Sequence, residues 1–182
     1  MRLTRVFVDQ ALQTGMRVAL PENAGAHLVR VLRLREGEAC VLFNGDGNDY
    51  DARLLAANKR GVEAEVLDAR AVDNESPLRL VLLQGIARGE KMDLILQKAT
   101  ELGVAAIAPV FADRTEVRLD GDRLEKRMAH WRSVVVSACE QSGRARIPEL
   151  LPACALAEAA AALDADALKL ILDPLGEYRF AT

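Results

Sequence analysis

The rhythm of hydrophobic and polar positions along this 182-residue chain changes near residue 77. Before that point the apolar runs are short. Leu3 to Val8 and Met16 to Leu20 predict strands, with Thr14-Gly15 turning between them. Residues 21–33 predict a short helix, with Pro21 suited to its first turn and Ala24, Leu28, Val31 and Leu32 on one side. His27 and Arg30 point elsewhere on that helix, Arg33 stands near its end, and His27 reads as a partly buried structural residue rather than a ligand. Glu38 to Phe43, Asp49 to Ala56 and Val62 to Leu67 predict further strands. They are separated by Asn44-Gly45-Asp46-Gly47-Asn48 and Asn58-Lys59-Arg60-Gly61, turns whose Gly and Asn tolerate positive φ. Short strands at even spacing predict a small β-barrel.

The polar run Asp73-Asn74-Glu75-Ser76-Pro77 predicts a domain boundary. Leu78 to Leu83 is nearly all apolar, as expected of a strand covered on both faces. Met92, Ile95, Leu96, Ala99 and Leu102 recur at helical spacing within Glu90 to Leu102, and Val104 to Phe111 follows as a strand. This strand–helix–strand order implies a right-handed crossover and a parallel sheet. Leu124, Met128, Trp131, Val135 and Ala138 stripe a longer helix over residues 123–142. Ala155 to Leu163 predicts a weak Ala-rich helix, and Leu168 to Leu172 a final strand. The expected architecture is α/β overall: a small β-barrel over 1–72, then a parallel-sheet α/β domain over 73–182.

Composition narrows the functions open to this architecture. Hydrophobic residues make up 51% of the chain, enough for a substantial core, but aromatics are 4%. So few rings argue against a surface built on stacked bases. Net charge is −3, so any polyanion site has to be a local patch. Residues 1–72 balance ten basic with ten acidic side chains, 88–146 carry eleven against nine, and 147–182 carry two against six. Cys40, Cys139 and Cys154 are too scattered for a disulfide framework, and two histidines, His27 and His130, exclude a histidine-rich metal site. With no metal site expected, no signal-peptide core and no run of about eighteen apolar residues, a reducing cytoplasm is the expected setting.

Two basic clusters stand at element ends, Arg88 with Lys91 and Arg144 with Arg146. They are either solvated charges beside helix termini or donors converging on a ligand. Gly85 to Gly89 lacks the Gly-Lys-Ser/Thr ending of a phosphate loop. No nucleophile–base motif is present, which leaves substrate binding with chemistry supplied by a cofactor.

Four segments carry a resemblance: His27-Leu28-Val29-Arg30-Val31-Leu32-Arg33, Arg88-Gly89-Glu90-Lys91-Met92, Gln97 to Val104, and Cys139-Glu140-Gln141-Ser142-Gly143-Arg144. In order, over nearly the whole chain, they resemble the ribosomal RNA small subunit methyltransferase E family. The resemblance implies an N-terminal PUA-like RNA-binding barrel and a C-terminal SPOUT methyltransferase domain with a trefoil knot. It further implies a homodimer that uses S-adenosylmethionine to methylate N3 of one uridine in 16S ribosomal RNA of the small subunit. Under it, Arg88, Lys91 and Arg144 become candidate catalytic cations. Arg114 stands with them, and Glu140 and Gln141 serve as polar positioners of the substrate. Glu140 is equally open to a role orienting Arg144. Arg30 and Arg33, with Lys59 or Arg60, become candidate RNA contacts.

The sequence departs from the family's pattern at its end. The family's Gly-rich cofactor loops come later than any segment here, so the knot is expected to be absent from these residues and cofactor-binding positions to lie beyond Thr182. Two rival readings stand beside the methyltransferase: a non-catalytic RNA-binding or ribosome-assembly module, and a small-molecule α/β enzyme.

Overall fold

The computed structural model describes residues 3–55, 57, 61–112 and 120–172. The first part is a five-stranded sheet of β1 (Arg5–Phe7), β2 (Arg17–Ala19), β3 (Ala39–Phe43), β4 (Asn48–Leu54) and β5 (Glu63–Ala71), in spatial order β1-β3-β4-β5-β2. Only β1 runs parallel to its neighbour, with Arg5 opposite Val41. Val6 of β1 and Val18 of β2 stand at the two ends of this order, yet both join one core with Leu28, Cys40, Leu42, Leu54 and Val66. The sheet therefore curls into a half-barrel. A register shift between Asp51 and Ala52 helps it bend.

The helix expected over 21–33 divides. Helix α1 (Glu22–Ala26) passes into a π-helical turn, His27–Val31, where Leu32 N donates to His27 O at 3.0 Å. The wider turn carries one more residue per bond than an α-helix. The apolar spacing drifts off the packed side: Leu28 is fully buried, while Val31 and Leu32 are 64% and 42% exposed rather than core. Arg33 then takes φ +57, and Leu34 N donates to Leu28 O at 3.0 Å. Arg33 thus occupies the left-handed position where a helix stop usually places glycine.

The second part is a parallel sheet of β6 (Val81–Gly85), β7 (Ala106–Phe111), β8 (Glu149–Leu150) and β9 (Cys154–Ala155). β6 lies on one side of β7, and β8 and β9 both pair with β7. Helices α2 (Glu90–Glu101) and α3 (Gly121–Ser142) cover one face, where Met92, Leu96, Trp131 and Val135 meet Ile107. Helix α4 (Leu156–Ala161) places Ala159 against Ala108 and Val110 on the other. Alternation along β7 thus feeds two helix layers, and its residues from Ala106 to Val110 are all buried.

Three further sequence expectations change. β6 starts at Val81 and is half-buried along its length, because it is an edge strand among the described residues. Leu102 lies beyond the last turn of α2 and is 83% exposed. Leu168, Leu170, Ile171 and Leu172 form no strand and are exposed. An apolar run becomes a strand only where a sheet edge receives it, and no described strand pairs with this one.

Candidate functional site

Two groups of the candidate cations lie at separate places among the described residues, and the fold positions each. The first is the C-terminal edge of the parallel sheet. β6 and β7 run in register from Val81 opposite Ala106 to Gly85 opposite Val110. Ile86 is buried and its N–H donates to Val110 O at 3.0 Å, which holds the chain as it leaves the sheet. Gly89 then takes φ +56 to start α2. Arg88 and Lys91 stand exposed on either side of that start. The N-terminus of a helix carries unpaired N–H groups and a partial positive charge, partly met here by Glu90 and Asp93 in the first turn. Open α/β sheets bind ligands at this edge.

The second place is the π-helical turn and its exit. His27, Arg30, Arg33 and Arg35 are all exposed within nine residues, with Val31 and Leu32 exposed between them. π-helical turns and non-glycine residues at positive φ both tend to mark functional positions, and here they coincide. Arg35 also donates its backbone N–H to Glu38 Oε2 at 2.5 Å.

The segment Cys139–Arg146 lies elsewhere and does different work. Arg144 is buried, with only 4% of its surface exposed. Its Nε and Nη2 donate to the two oxygens of Glu75, and its Nη1 donates to Thr100 O at 2.9 Å and Val104 O at 3.0 Å. Those carbonyls precede the start of β7, whereas Arg88 follows the end of β6. Arg144 therefore stands at the end of the sheet opposite to the one that carries Arg88 and Lys91. The structure does not bring the three candidate catalytic cations together.

Glu140 does not orient Arg144. Its Oε1 accepts the Phe7 N–H at 3.1 Å, tying α3 to β1. Burial pushes its carboxyl above the ordinary carboxylate range; the Phe7 hydrogen bond and the charges of His27 and Arg5 oppose that rise. Gln141 is exposed in the last turn of α3. Arg146 is exposed and lies over the turn between β3 and β4, where a Cβ on Gly47 would stand 2.7 Å from its Nη2. Arg114, Lys59 and Arg60 lie outside the described residues.

Among the described residues, no group of three or more His, Cys, Asp or Glu is placed to hold a metal. Burial pushes the Cys40 and Cys139 thiols up to about 11, so neither is a thiolate near neutral pH. No described helix is long and apolar enough to cross a membrane. A cavity of about 460 Å³ opens between β6 and the C-terminal half of α2, lined by Leu78, Leu80, Leu82, Ile95 and Leu102 with Lys98 at its wall. It lies away from the Arg88 edge and is mostly apolar.

Sequence reasoning missed the π-helical turn, the positive φ of Arg33 and the partner of Arg144. No local signal in the sequence marks any of the three.

The profile of an RNA methyltransferase domain matches residues 74–182, and that of an RNA methyltransferase PUA domain matches residues 20–67. The crystal structure of a ribosomal RNA small subunit methyltransferase E from Neisseria gonorrhoeae, bound to S-adenosyl methionine, superposes with a TM-score of 0.89. It is 43% identical, over 98% of this chain and 75% of that one. The proteins of the same name from Bacillus subtilis and Buchnera aphidicola of Schizaphis graminum are 31% and 30% identical, each over 82% of this chain. The chain spans 59% and 61% of those two relatives' lengths.

Proposed function

The chain belongs to the ribosomal RNA small subunit methyltransferase E family, and from that premise we propose that it methylates RNA of the small ribosomal subunit. The finer reading is transfer from S-adenosylmethionine to N3 of one uridine in 16S ribosomal RNA. In this reading residues 1–72 hold the RNA and residues from 73 onward act on the base, in a cytoplasmic homodimer.

The observation that carries the proposal is the separation of the two basic sites. Arg30 and Arg33 lie on a turn of the half-barrel, and Arg88 with Lys91 lie at the C-terminal edge of the parallel sheet. A nucleotide-sized ligand has no need of cations on two domains, whereas a polynucleotide can lie across both. The barrel cations meet phosphates and set the register. Val31 and Leu32, exposed among them, offer apolar contact to bases that have left a stack.

At the sheet edge the demand is electrostatic. Uridine N3 becomes a nucleophile when its proton leaves, and a cation held beside the ring favours that anionic form. Arg88 and Lys91 are the residues proposed to supply it. S-adenosylmethionine supplies an already activated methyl group. Gly85 and Gly89 leave open space at this edge where a side chain would stand. A cofactor of that size nevertheless needs most of its surface enclosed, more than the exposed residues at this edge supply by themselves.

The test is methyl incorporation into unmethylated small-subunit RNA by the full-length protein, with the product nucleoside identified by mass spectrometry. Arg88→Ala is expected to lower single-turnover transfer by about 10²-fold, the loss typical of one preorganised electrostatic contact. Replacing Arg30 and Arg33 with alanine should weaken RNA binding and reduce the salt slope by about one unit per lost phosphate contact. Salt-sensitive RNA binding without transfer to any nucleoside would overturn the enzyme reading and leave an RNA-binding module. Methyl at another atom would overturn only the N3 assignment.

A further inference from the structure

We propose that Arg144 is a positioning residue, the centre of a buried pin that fixes the half-barrel against the α/β domain and so sets where bound RNA meets the Arg88 edge. This inference rests on the reading just given.

Four separate pieces of chain converge on the short segment after α3. From the linker, Glu75 pairs with the Arg144 guanidinium, and Asn74 Nδ2 donates to Gly143 O at 3.0 Å. From the end of α2 and the turn that follows it come the carbonyls of Thr100 and Val104. From β1, Arg5 Nη2 donates to Arg144 O at 3.0 Å. From the turn between β3 and β4, Gly47 N donates to Ala145 O at 3.1 Å. Arg5 is itself buried: it pairs with Asp49 through Nη1 and sits 4.7 Å above the Phe43 ring. Asp49 is held in turn by Arg70 Nη2 at 2.8 Å. One segment thus joins the barrel, the linker and the sheet.

The chemistry of guanidinium explains why an arginine stands here. Four of its five N–H groups are used, in a fixed plane, toward one carboxylate and two carbonyls. An ammonium has three donors and no such plane, so lysine cannot span the same partners. With every partner buried or half-buried, the side chain has no surface to offer a substrate. The cost of removing two charges from water is offset only while all contacts hold. The pin is therefore held in one geometry or lost. Were it loosened, RNA would still bind the barrel cations, but the base would no longer be delivered to the sheet edge.

Arg144→Ala would leave Glu75 unpaired and unfold the seam, so the informative variants are Arg144→Lys, Glu75→Gln and the milder Asn74→Ala, made in the full-length protein. Two readouts are taken. Amide hydrogen exchange at Phe7 and Gly47, whose N–H groups cross the seam to Glu140 and Ala145, reports the pin without any activity. Expected is at least tenfold faster exchange at these two amides in Arg144→Lys and Glu75→Gln, with Leu42 and Ile107 in the two cores unchanged. Single-turnover methylation of small-subunit RNA is expected to fall about tenfold or more in both, with RNA affinity and salt slope unchanged. Asn74→Ala should move both readouts in the same direction by less.

Unchanged exchange at Phe7 and Gly47 would overturn the pin. If Arg144→Lys weakens RNA binding with the exchange at Phe7 and Gly47 unchanged, while Glu75→Gln behaves as wild type, Arg144 is a phosphate contact and the inference is wrong. Absence of methyl transfer in the wild type would sink the enzyme reading instead, and the exchange result would still decide whether the pin exists.

Discussion

Gly47 offers a quantitative check on the seam, because the structure supplies its own control. Gly47 has φ +98 and Gly15 has φ +85, so alanine is strained at either position. That backbone strain costs ~1–2 kcal/mol, offset by ~0.4–1 kcal/mol from the stiffer unfolded chain. The surroundings differ. A Cβ at Gly15 meets nothing within 4 Å, whereas one at Gly47 lies 2.7 Å from Arg146 Nη2 and 2.8 Å from its Cζ. Those atoms are the far end of a flexible, exposed side chain, so Arg146 moves away rather than holding its ground, at ~0.5–1.5 kcal/mol for the displaced rotamer. Gly15→Ala should then cost about 1 kcal/mol and Gly47→Ala about 2 kcal/mol, from those same terms. The assay is urea unfolding followed by circular dichroism, compared through the midpoint at constant slope. In an Arg146→Ala background the Gly47→Ala cost should fall to that of Gly15→Ala. Equal costs in the wild type, or a Gly47 penalty that persists without Arg146, would show that the seam is not packed as described.

Two further outcomes follow from burial. The Glu140 carboxyl is held above its ordinary value of 4.5, chiefly by burial. The folded state therefore binds that proton more tightly than the unfolded chain, and its contribution to stability is lost as pH rises through the folded value. Glu140→Gln keeps an acceptor for Phe7 N without the charge, so its stability relative to wild type should rise from pH 4 to pH 7; parallel stability curves would refute this. Trp131 is 1% exposed at the centre of the α2–α3 core, and Trp131→Ala should cost about 3–5 kcal/mol by cavity formation. A loss below about 1.5 kcal/mol in chemical unfolding would mean that the helices repack around the gap.

Much of the fold was legible because its signals are local. Met92 and Leu96 on α2, and Trp131, Val135 and Ala138 on α3, are buried as their 3.6-residue spacing predicts. The Asn44–Asn48 turn needs positive φ, and Gly45 and Gly47 supply it at +95 and +98. What failed to show was decided by partners distant in sequence. β8 and β9 are two residues each and exist because β7 receives them; no periodicity can be read from two residues. The apolar run Leu168 to Leu172 looked like a strand for the opposite reason, having the composition but no described partner. The π-helical turn is a register change that composition does not encode, so Val31 and Leu32 looked like core and are exposed.

The candidate site divides along the same line. Arg88 and Lys91 stand where a strand–helix crossover must place them, at the end of β6 and the start of α2, and that position follows from the pattern alone. Arg144 had the same sequence appearance: a cation in a Ser-Gly-Arg-Ala-Arg run just past a helix. Nothing local distinguishes a guanidinium that meets solvent from one that meets Glu75, 69 residues earlier, and carbonyls 40 and 44 residues earlier. The linker misled in the complementary sense. Asp73-Asn74-Glu75 reads as a solvated connector, yet Asn74 and Glu75 both anchor on the segment after α3. Each half of the pin looks like surface when read alone. A buried ion pair is recognisable only once the fold has brought its halves together, and a basic cluster at an element end is for that reason as open to an internal carboxylate as to a ligand.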